Sequence, residues 1–306
     1  MSRKKASRKS ATTVFIACEG RSTEPAYFQR IKEQVEESGD FALTIYPDDT
    51  EPNPKTDALG LIEEAKRRSG EFDEVWVVFD KDGYTKHADA FTEAHTHEVK
   101  IGFSSIAFEH WVLLHFERSK QPFVKSQDII QDKLRGGPGF FPTYTKKAHV
   151  DIYDGMRHHT HLAIENAAWL RHQQKPELST KKIYEVNPYT DLDILVARLL
   201  GMNTILWIGL GEKMTVEQLS LSTTQEASTL NIHIENKRPE SFVTQSISYK
   251  TRNSAGESEY RPLESKLISP GGTETISLPI NSDVNDLMIR VAGSYLMLAV
   301  PQQVQP

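Results

Sequence analysis

Short apolar runs alternate with amphipathic stretches from Thr12 to Phe116, and this alternation limits the possible folds more than any other feature. "TVFIAC" (13–18) and "EVWVVF" (74–79) read as buried strands, whereas "STEPAYFQRIKEQVEE" (22–37) repeats its apolar residues at helical spacing. Strands that alternate with helices are typical of a largely parallel sheet covered by helices. The sequence therefore predicts an α/β fold for this part of the chain.

Further elements follow from the same patterns. Strands are expected at 13–18, 42–47, 74–80 and 99–105, and helices at 22–37, 55–70, 84–97, 107–119, 151–174 and from about Thr190 to Leu200. The stretch "LRGGPGFFPTYTKK" (134–147) contains three glycines and two prolines, so a loop is expected there.

The pattern changes near residue 201. Residues 212–306 are rich in Ser and Thr and alternate apolar and polar residues with a period of two, as in "LNIHIEN" (230–236). This pattern, with several short strands joined by polar turns, predicts a C-terminal antiparallel β-sandwich with an Ig-like topology. The expected organisation is a basic flexible tail (1–10), a first domain (11–200), a linker (201–211) and the sandwich (212–306).

Composition excludes several classes of protein. Cys18 is the only cysteine, so neither an internal disulfide nor a multi-cysteine zinc site can form, which favours the cytoplasm. The N-terminal residues show neither a signal peptide nor a membrane span. The formal net charge of −6 argues against binding nucleic acid over the whole surface.

Acidic residues follow two of the predicted strands directly. Glu19 ends the first, with Gly20 after it, and Asp80 and Asp82 end the third. Because the carboxyl ends of parallel strands lie at one edge of a sheet, these three side chains are expected there together. Crowded carboxylates repel one another unless a cation is present, and Mg²⁺ prefers oxygen ligands. The alternative is a simple turn at Asp-Lys-Asp-Gly, the more common role of such a sequence alone.

Four ordered motifs resemble those of the RloB-like family, which is related to the abortive-infection protein AbiLii. They are "VFIACEGRSTEPAYF", "EVWVVFDKDGY", "FEHWVLLHF" and "NPYTDLDILVARLL", and the resemblance covers residues 11–200. It implies a Toprim-type catalytic domain, in which a Glu-Gly and an Asp-x-Asp motif bind magnesium.

Carried over to this sequence, the resemblance makes Glu19 a general acid/base or metal ligand and Asp80 and Asp82 the metal-binding pair. It also gives functional weight to Glu109 and His115. Where the family usually has an apolar residue, this chain has His110.

Several of these side chains also have structural interpretations. His115 lies in an apolar helix and is equally compatible with a core histidine, whereas a carboxylate such as Glu109 needs a partner there. His158 and His161 have a spacing compatible with zinc, but no further ligand is identifiable. Trp111 and Trp169 are interpreted as core residues.

Basic residues are concentrated between residues 133 and 182, with nine Lys or Arg against four acidic residues. This segment is a candidate phosphate-binding rim, for which a solvated surface is the alternative. The candidate residues are Lys133, Arg135, Lys146, Lys147, Arg157, Lys181 and Lys182.

The resulting hypothesis is a nuclease that uses magnesium, or manganese, to cleave RNA or DNA in antiviral abortive infection. The chain has no phosphate-loop motif, so any ATPase would be a partner subunit. The C-terminal domain is then the expected docking or homo-oligomer surface. The alternative is a non-catalytic protein that uses a degenerate Toprim fold to bind nucleic acid or a partner.

Overall fold

A computed structural model describes most of the chain. It covers residues 11–48, 50, 54, 56–83, 85–146, 152–203, 205–207, 209, 211–216, 218–226, 228–253, 256–257, 260–279, 284–291 and 294–299. The expected basic tail (1–10) and Lys147 lie outside these residues. The chain divides into two compact units, Met1–Met202 and Asn203–Pro306.

A five-stranded sheet forms the centre of the first unit. Its strands are β1 (Thr12–Cys18), β2 (Phe41–Tyr46), β3 (Glu74–Asp80), β4 (Lys100–Ser105) and β5 (Tyr189–Thr190). They lie in the order β2-β1-β3-β4-β5, and all neighbours are parallel except β5, which is antiparallel to β4. The interiors of β1 and β3 are buried without alternation, as expected for strands covered on both faces. This confirms the predicted α/β fold with a largely parallel sheet flanked by helices.

Helices connect and cover these strands. They are α1 (Thr23–Glu36), α2 (Ala58–Arg68), α3 (His87–Thr96), α4 (Phe108–Leu114), α5 (Ser126–Ile129), α6 (Ile152–Met156), α7 (Thr160–Gln173), α8 (Lys175–Leu178) and α9 (Leu192–Leu199). A π-helical turn, Ile130–Arg135, continues α5, and 3₁₀ turns lie at Ser69–Glu71, Arg157–His159 and Ile183–Glu185.

Local sequence explains how α1 and α2 form and pack. The predicted apolar stripe of α1 is buried, including Tyr27 and Ile31. Helix α2 begins after Asp57, whose side chain accepts a hydrogen bond from the Gly60 N–H at 3.2 Å. Its last turn contains basic residues, whose positive charges interact favourably with the negative end of the helix dipole. Both helices therefore follow directly from sequence signals.

A buried ion pair fixes the last helix of the first unit beside the sheet. The Arg171 guanidinium on α7 contacts both carboxylate oxygens of Asp193 on α9, with Nη2 to Oδ2 at 2.7 Å. Arg171 also donates to the Thr190 carbonyl at 2.8 Å, and Asp191 accepts from the Phe103 N–H at 2.7 Å. These bonds join α7, β5 and α9 to β4.

Two expected elements of the first unit differ from the prediction. The helix expected over 151–174 is broken by the 3₁₀ turn at 157–159, just after Gly155. A side chain at Gly155 would lie 2.4 Å from the Phe141 ring, so glycine is needed for this packing at the cost of weaker helix propensity. The final helix begins at Leu192 and not at Thr190, because Thr190 pairs with Ser104 in the sheet.

The second unit contains antiparallel sheets, as predicted. Its strands are β6 (Ile205–Trp207), β7 (Lys213–Val216), β8 (Leu219–Glu226), β9 (Thr229–Asn236), β10 (Phe242–Val243), β11 (Ser248–Asn253), β12 (Gly256–Glu257), β13 (Arg261–Pro262), β14 (Leu267–Ile268), β15 (Thr273–Pro279), β16 (Val284–Val291) and β17 (Ser294–Ala299), with a 3₁₀ turn at Thr244–Ser246. One sheet has the order β15-β9-β8-β7 and the other β12-β11-β16-β17-β6, with β13 beside β11 and a separate β10–β14 pair.

One apolar core serves both of these sheets. Leu221 and Ile232 from the first sheet and Leu287 and Ile289 from the second belong to the same buried cluster. Alternation along β9 buries every second residue, which is why the period-two pattern was visible in the sequence. Strand β6 is parallel to β17 and lies in the segment expected to be a linker (201–211), so residues 205–207 of that segment belong to a sheet.

The Arg171–Asp193 pair provides a test of the first unit's stability. We expect Arg171→Met to lower the free energy of unfolding by about 3–5 kcal/mol, because it leaves the buried Asp193 carboxylate without its cation. Lys181→Met, which breaks the exposed Lys181–Glu177 pair, should cost less than about 1 kcal/mol. Tryptophan fluorescence during urea unfolding measures both. Recovery of stability in Arg171→Met/Asp193→Leu would support the explanation, and equal effects of the two single substitutions would contradict it.

Candidate metal centre

The ends of β1 and β3 bring Glu19 and Asp80 together. The two strands are parallel neighbours, and the Glu19 N–H donates to the Val78 carbonyl at 2.8 Å. The Glu19 side chain then accepts the Asp80 N–H through Oε2 at 2.9 Å. A carboxylate from one strand therefore caps the backbone of the next at the carboxyl edge of the sheet.

Asp80 and Asp82 form the turn that the simpler interpretation of Asp-Lys-Asp-Gly predicts. Asp80 Oδ1 accepts the Asp82 N–H at 3.0 Å, and Gly83 has a φ of 74°. The second oxygen of Asp80 accepts the Phe108 N–H at 3.3 Å, whereas Asp82 is exposed and accepts from Ser126 Oγ at 3.2 Å. The turn is thus present, and it holds the Asp80 carboxylate beside Glu19.

Glu109 joins this edge of the sheet from the first turn of α4. Its side chain is 1% exposed, and Oε1 accepts a hydrogen bond from the Tyr144 hydroxyl at 2.7 Å. Lys146 Nζ lies 3.1 Å from the same oxygen. The other oxygen, Oε2, is buried and has no hydrogen-bond partner in the described part of the protein. The loop expected at 134–147 therefore supplies two polar partners to Glu109.

Glu24 is a fifth carboxylate of the group, and sequence reasoning missed it. It lies in the first turn of α1, where acidic residues are favourable, and a Cβ on Gly20 would be 3.9 Å from its Oε2. It follows Glu19 at a spacing of five positions, across the glycine turn. That spacing was the available signal.

Burial and neighbouring acids raise the pKa values of three of these carboxylates. Burial raises the pKa of Glu19 to about 7, and the charges of Asp57 and Asp82 act in the same direction. Burial also raises the pKa of Asp80 well above its usual value, reinforced by Glu19 and Glu109. Burial, with Asp80 and Glu109, does the same for Glu24. We refer to Glu19, Glu24, Asp80, Asp82 and Glu109 as the acidic cluster.

Lys146 is the cation that faces the acidic cluster. Partial burial lowers its pKa, but the attraction of Glu109, with smaller contributions from Asp80 and Glu24, raises it above the ordinary value. Lys146 was expected in a phosphate-binding rim on the surface. In the structure it instead contacts one of the candidate catalytic carboxylates.

The carboxylate oxygens of the acidic cluster suit a hard divalent ion, although they are not arranged around a common ion position. All candidate donors are carboxylate oxygens, which Mg²⁺ and Mn²⁺ prefer, and the Glu109 Oε2 atom lacks a partner in the part of the chain that the structure describes. Within the described residues, no three His, Cys, Asp or Glu side chains form a group that could hold an ion as they stand. A metal would therefore require side-chain movement in this cluster.

His115 and His110 lie in apolar surroundings. His115 Nδ1 is 3.0 Å from the Trp111 carbonyl, and its ring packs on Trp111 at a centroid distance of 4.8 Å. Burial lowers its pKa to about 3, with His159 and His161 acting in the same direction. Burial lowers the pKa of His110 to about 4, and neither ring nitrogen has a partner among the described residues. His115 thus has the environment of a core histidine.

The remaining residues of the expected phosphate rim mostly contact acids of the chain itself. Lys133 lies 2.9 Å from Glu117, Lys181 lies 2.6 Å from Glu177 and Arg157 lies 3.7 Å from Asp154. Arg135 donates to the Tyr144 carbonyl at 2.6 Å, and the Lys182 side chain is exposed. Phosphate binding by these residues remains a prediction. Of the residues interpreted as core, Trp111 is fully buried, whereas Trp169 is partly exposed and faces the Arg118 guanidinium.

These features define a mixed α/β protein whose mainly parallel sheet gathers acidic side chains at one edge. The chain belongs to the RloB-like family, whose model, described as RloB-like protein, matches residues 14–199. No curated protein matches the chain. No helix among the described residues is long and apolar enough to cross a membrane.

Solved structures give only weak similarities. A β-glucosidase from Erythrobacter marinus aligns over 95% of this chain at 9% identity with a TM-score of 0.28, and the alignment spans 47% of that protein's length. CapF bound to 3-isopropenyl-tropolone aligns over 95% of this chain and 92% of its own at 8% identity and a TM-score of 0.22. A DNA glycosylase, AlkC, from Pseudomonas fluorescens aligns over 79% and 77% at 11% identity and a TM-score of 0.17. These scores carry no argument about fold or function.

Removing the negative charge of Glu19 should stabilise the metal-free protein at high pH. The folded pKa of about 7 exceeds the ordinary value of 4.5, so the folded state binds more protons between these values and loses stability as pH rises through them. Glu19→Gln keeps an acceptor for the Asp80 N–H and should add about 1–2 kcal/mol at pH 8 and little at pH 4.5. Thermal unfolding in EDTA at both pH values tests this. Glu37→Gln, at an exposed acid after α1, is the control, and a pH-independent gain would contradict the explanation.

Replacing His110 should also stabilise the protein, with the opposite dependence on pH. Its folded pKa of about 4 is below the ordinary 6.5, so the unfolded state binds more protons between these values and the protein loses stability as pH falls through them. His110→Leu removes two buried nitrogens without partners and should add about 1–3 kcal/mol at pH 7 and more at pH 5. Urea unfolding at both pH values measures the gain. The exposed His95→Leu should change little, and a loss of stability in His110→Leu at pH 5 would refute the assignment.

Proposed function

We propose that this protein is a metal-dependent nuclease that hydrolyses phosphodiester bonds of RNA or DNA. The observation that carries the proposal is the acidic cluster, in which carboxylates from two strand ends and two helices lie together. Burial, reinforced by neighbouring acids, raises the pKa values of Glu19, Glu24 and Asp80. Such an arrangement is unfavourable for folding and is therefore expected mainly at functional sites. Family membership supports the same proposal, because the resemblance of the motifs implies a Toprim-type domain.

Magnesium, or manganese, is the proposed cofactor. Glu19, Asp80 and Asp82 would hold it, with Glu109 as a further carboxylate beside them. When bound, such an ion stabilises the negative charge that develops on the attacking and leaving oxygens of a phosphodiester. The exposed position of Asp82 gives this edge of the sheet access to a polymeric substrate.

The residues around the proposed ion have separate roles. As the alternative to holding the ion, Glu19 would accept the proton of the attacking water, because burial raises its pKa to about 7 in the metal-free protein. Water adds to phosphorus, the bond to the 3′ oxygen breaks, and a proton from solvent completes the leaving hydroxyl. Tyr144 orients Glu109 through its hydroxyl group. The basic residues between 133 and 182 would position the backbone of the nucleic acid.

The biological setting is part of the proposal and depends on the family. An RloB-like protein of this kind would act as an effector of antiviral abortive infection in the cytoplasm, controlled by a partner ATPase. The second unit, to which we assign an Ig-like topology, would supply the docking or dimerisation surface.

A non-catalytic function is the alternative, and two observations favour it. The described carboxylates do not converge as a ready metal site, and most candidate phosphate-binding residues are paired with acids of the chain. A degenerate Toprim fold that recruits nucleic acid or a partner would need no metal. Metal-dependent cleavage therefore separates the two functions.

The test of the nuclease is cleavage of total RNA and plasmid DNA by the purified protein with Mg²⁺ or Mn²⁺. Asp80→Asn should lower the rate by more than about 100-fold, because it removes a charged donor from the cluster centre. Asp40→Asn, an exposed aspartate before β2 at the amino edge of the sheet, should leave the rate unchanged. Cleavage that survives both Asp80→Asn and EDTA would reject the proposal, and no cleavage by the wild type would favour the binding protein.

A further inference from the structure

Glu109 needs positive charge or hydrogen bonds because its carboxylate is buried. Its side chain is 1% exposed, and the Tyr144 hydroxyl satisfies only Oε1. Oε2 is buried without a partner among the described residues. A charged group removed from water in this way is costly unless a cation lies next to it.

Lys146 supplies that cation, and its side chain is far more exposed to solvent than that of Glu109. Its Nζ lies 3.1 Å from Glu109 Oε1, yet 47% of its side chain is exposed, against 1% for Glu109. The lysine can therefore withdraw into water by changing rotamers, whereas the carboxylate must remain buried. The acidic cluster has a fixed anion and a movable cation.

We propose that Lys146 is an internal counter-cation that competes with a divalent metal ion for the acidic cluster. In the metal-free protein it lies against Glu109, and a metal ion that takes up this carboxylate displaces it. The proposal rests on the metal site proposed above, but it does not depend on nuclease activity.

Two observations make competition the expected relation between the two cations. First, Lys146 contacts the carboxylate whose second oxygen has no partner among the residues described, so metal and ammonium would neutralise the same charge. Second, the described carboxylates do not converge on a metal site while Lys146 is in contact with Glu109. Like charges repel strongly at the short distances of one cluster, so both cations cannot contact Glu109 at low cost.

Manganese titration of the full-length protein by calorimetry, without nucleic acid, tests the proposal. Lys146→Met keeps the apolar stem and removes the charge, and it should bind Mn²⁺ about tenfold more tightly than the wild type. Lys146→Arg retains the charge and should bind like the wild type. Lys66→Met, which breaks a lysine–glutamate pair between α2 and α3, is the matched control and should also leave the affinity unchanged.

Thermal unfolding gives a second measurement if Lys146→Met is less stable. Its melting temperature should fall without metal and rise with Mn²⁺ by more than that of the wild type. Lys146→Gln should behave in the same way. Equal or weaker Mn²⁺ binding by both neutral variants would overturn the inference and leave the nuclease proposal standing. Absence of binding by the wild type and every variant would overturn both.

Discussion

Repulsion among carboxylates at the carboxyl edge of the first sheet is the constraint on which the rest of this structure depends. Parallel strands β1 and β3 end side by side, so Glu19 and Asp80 are neighbours as a direct result of the topology. Burial makes negative charge in the acidic cluster costly. Backbone N–H donors stabilise the strand-end carboxylates, and the Tyr144 hydroxyl and the Lys146 ammonium stabilise Glu109. The loop that carries Tyr144 and Lys146 therefore stabilises the acidic cluster directly.

The structure also separates two kinds of buried charge. The Arg171 guanidinium contacts both oxygens of the Asp193 carboxylate, and this pair joins helices to the edge of the sheet. The acidic cluster contains more carboxylates than the contacting lysine can neutralise. Matched buried pairs are compatible with a purely structural role, whereas an excess of one sign indicates a site prepared for a ligand of the opposite sign.

Much of the fold could be predicted because its signals are local. The buried strands, the apolar stripe of α1 and the alternation in β9 each depend on residues close in sequence. The predicted element bounds were wrong where contacts between residues far apart in the sequence determine the local structure. Phe141 requires Gly155 in the middle of an expected helix, and Ser104 pairs with Thr190 where a helix was expected to begin. Likewise, β6 forms only because β17 lies beside it.

The sequence by itself determined the alternation of elements, the family and the placement of Glu19, Asp80 and Asp82 at strand ends, because periodicity and short motifs are written in neighbouring residues. Only the tertiary structure decided that Glu24 and Glu109 join them, that His115 lies among aromatic rings and that Lys146 turns towards Glu109. The physical reason is that burial and Coulomb interactions depend on distances between residues far apart in the chain, which no local pattern specifies.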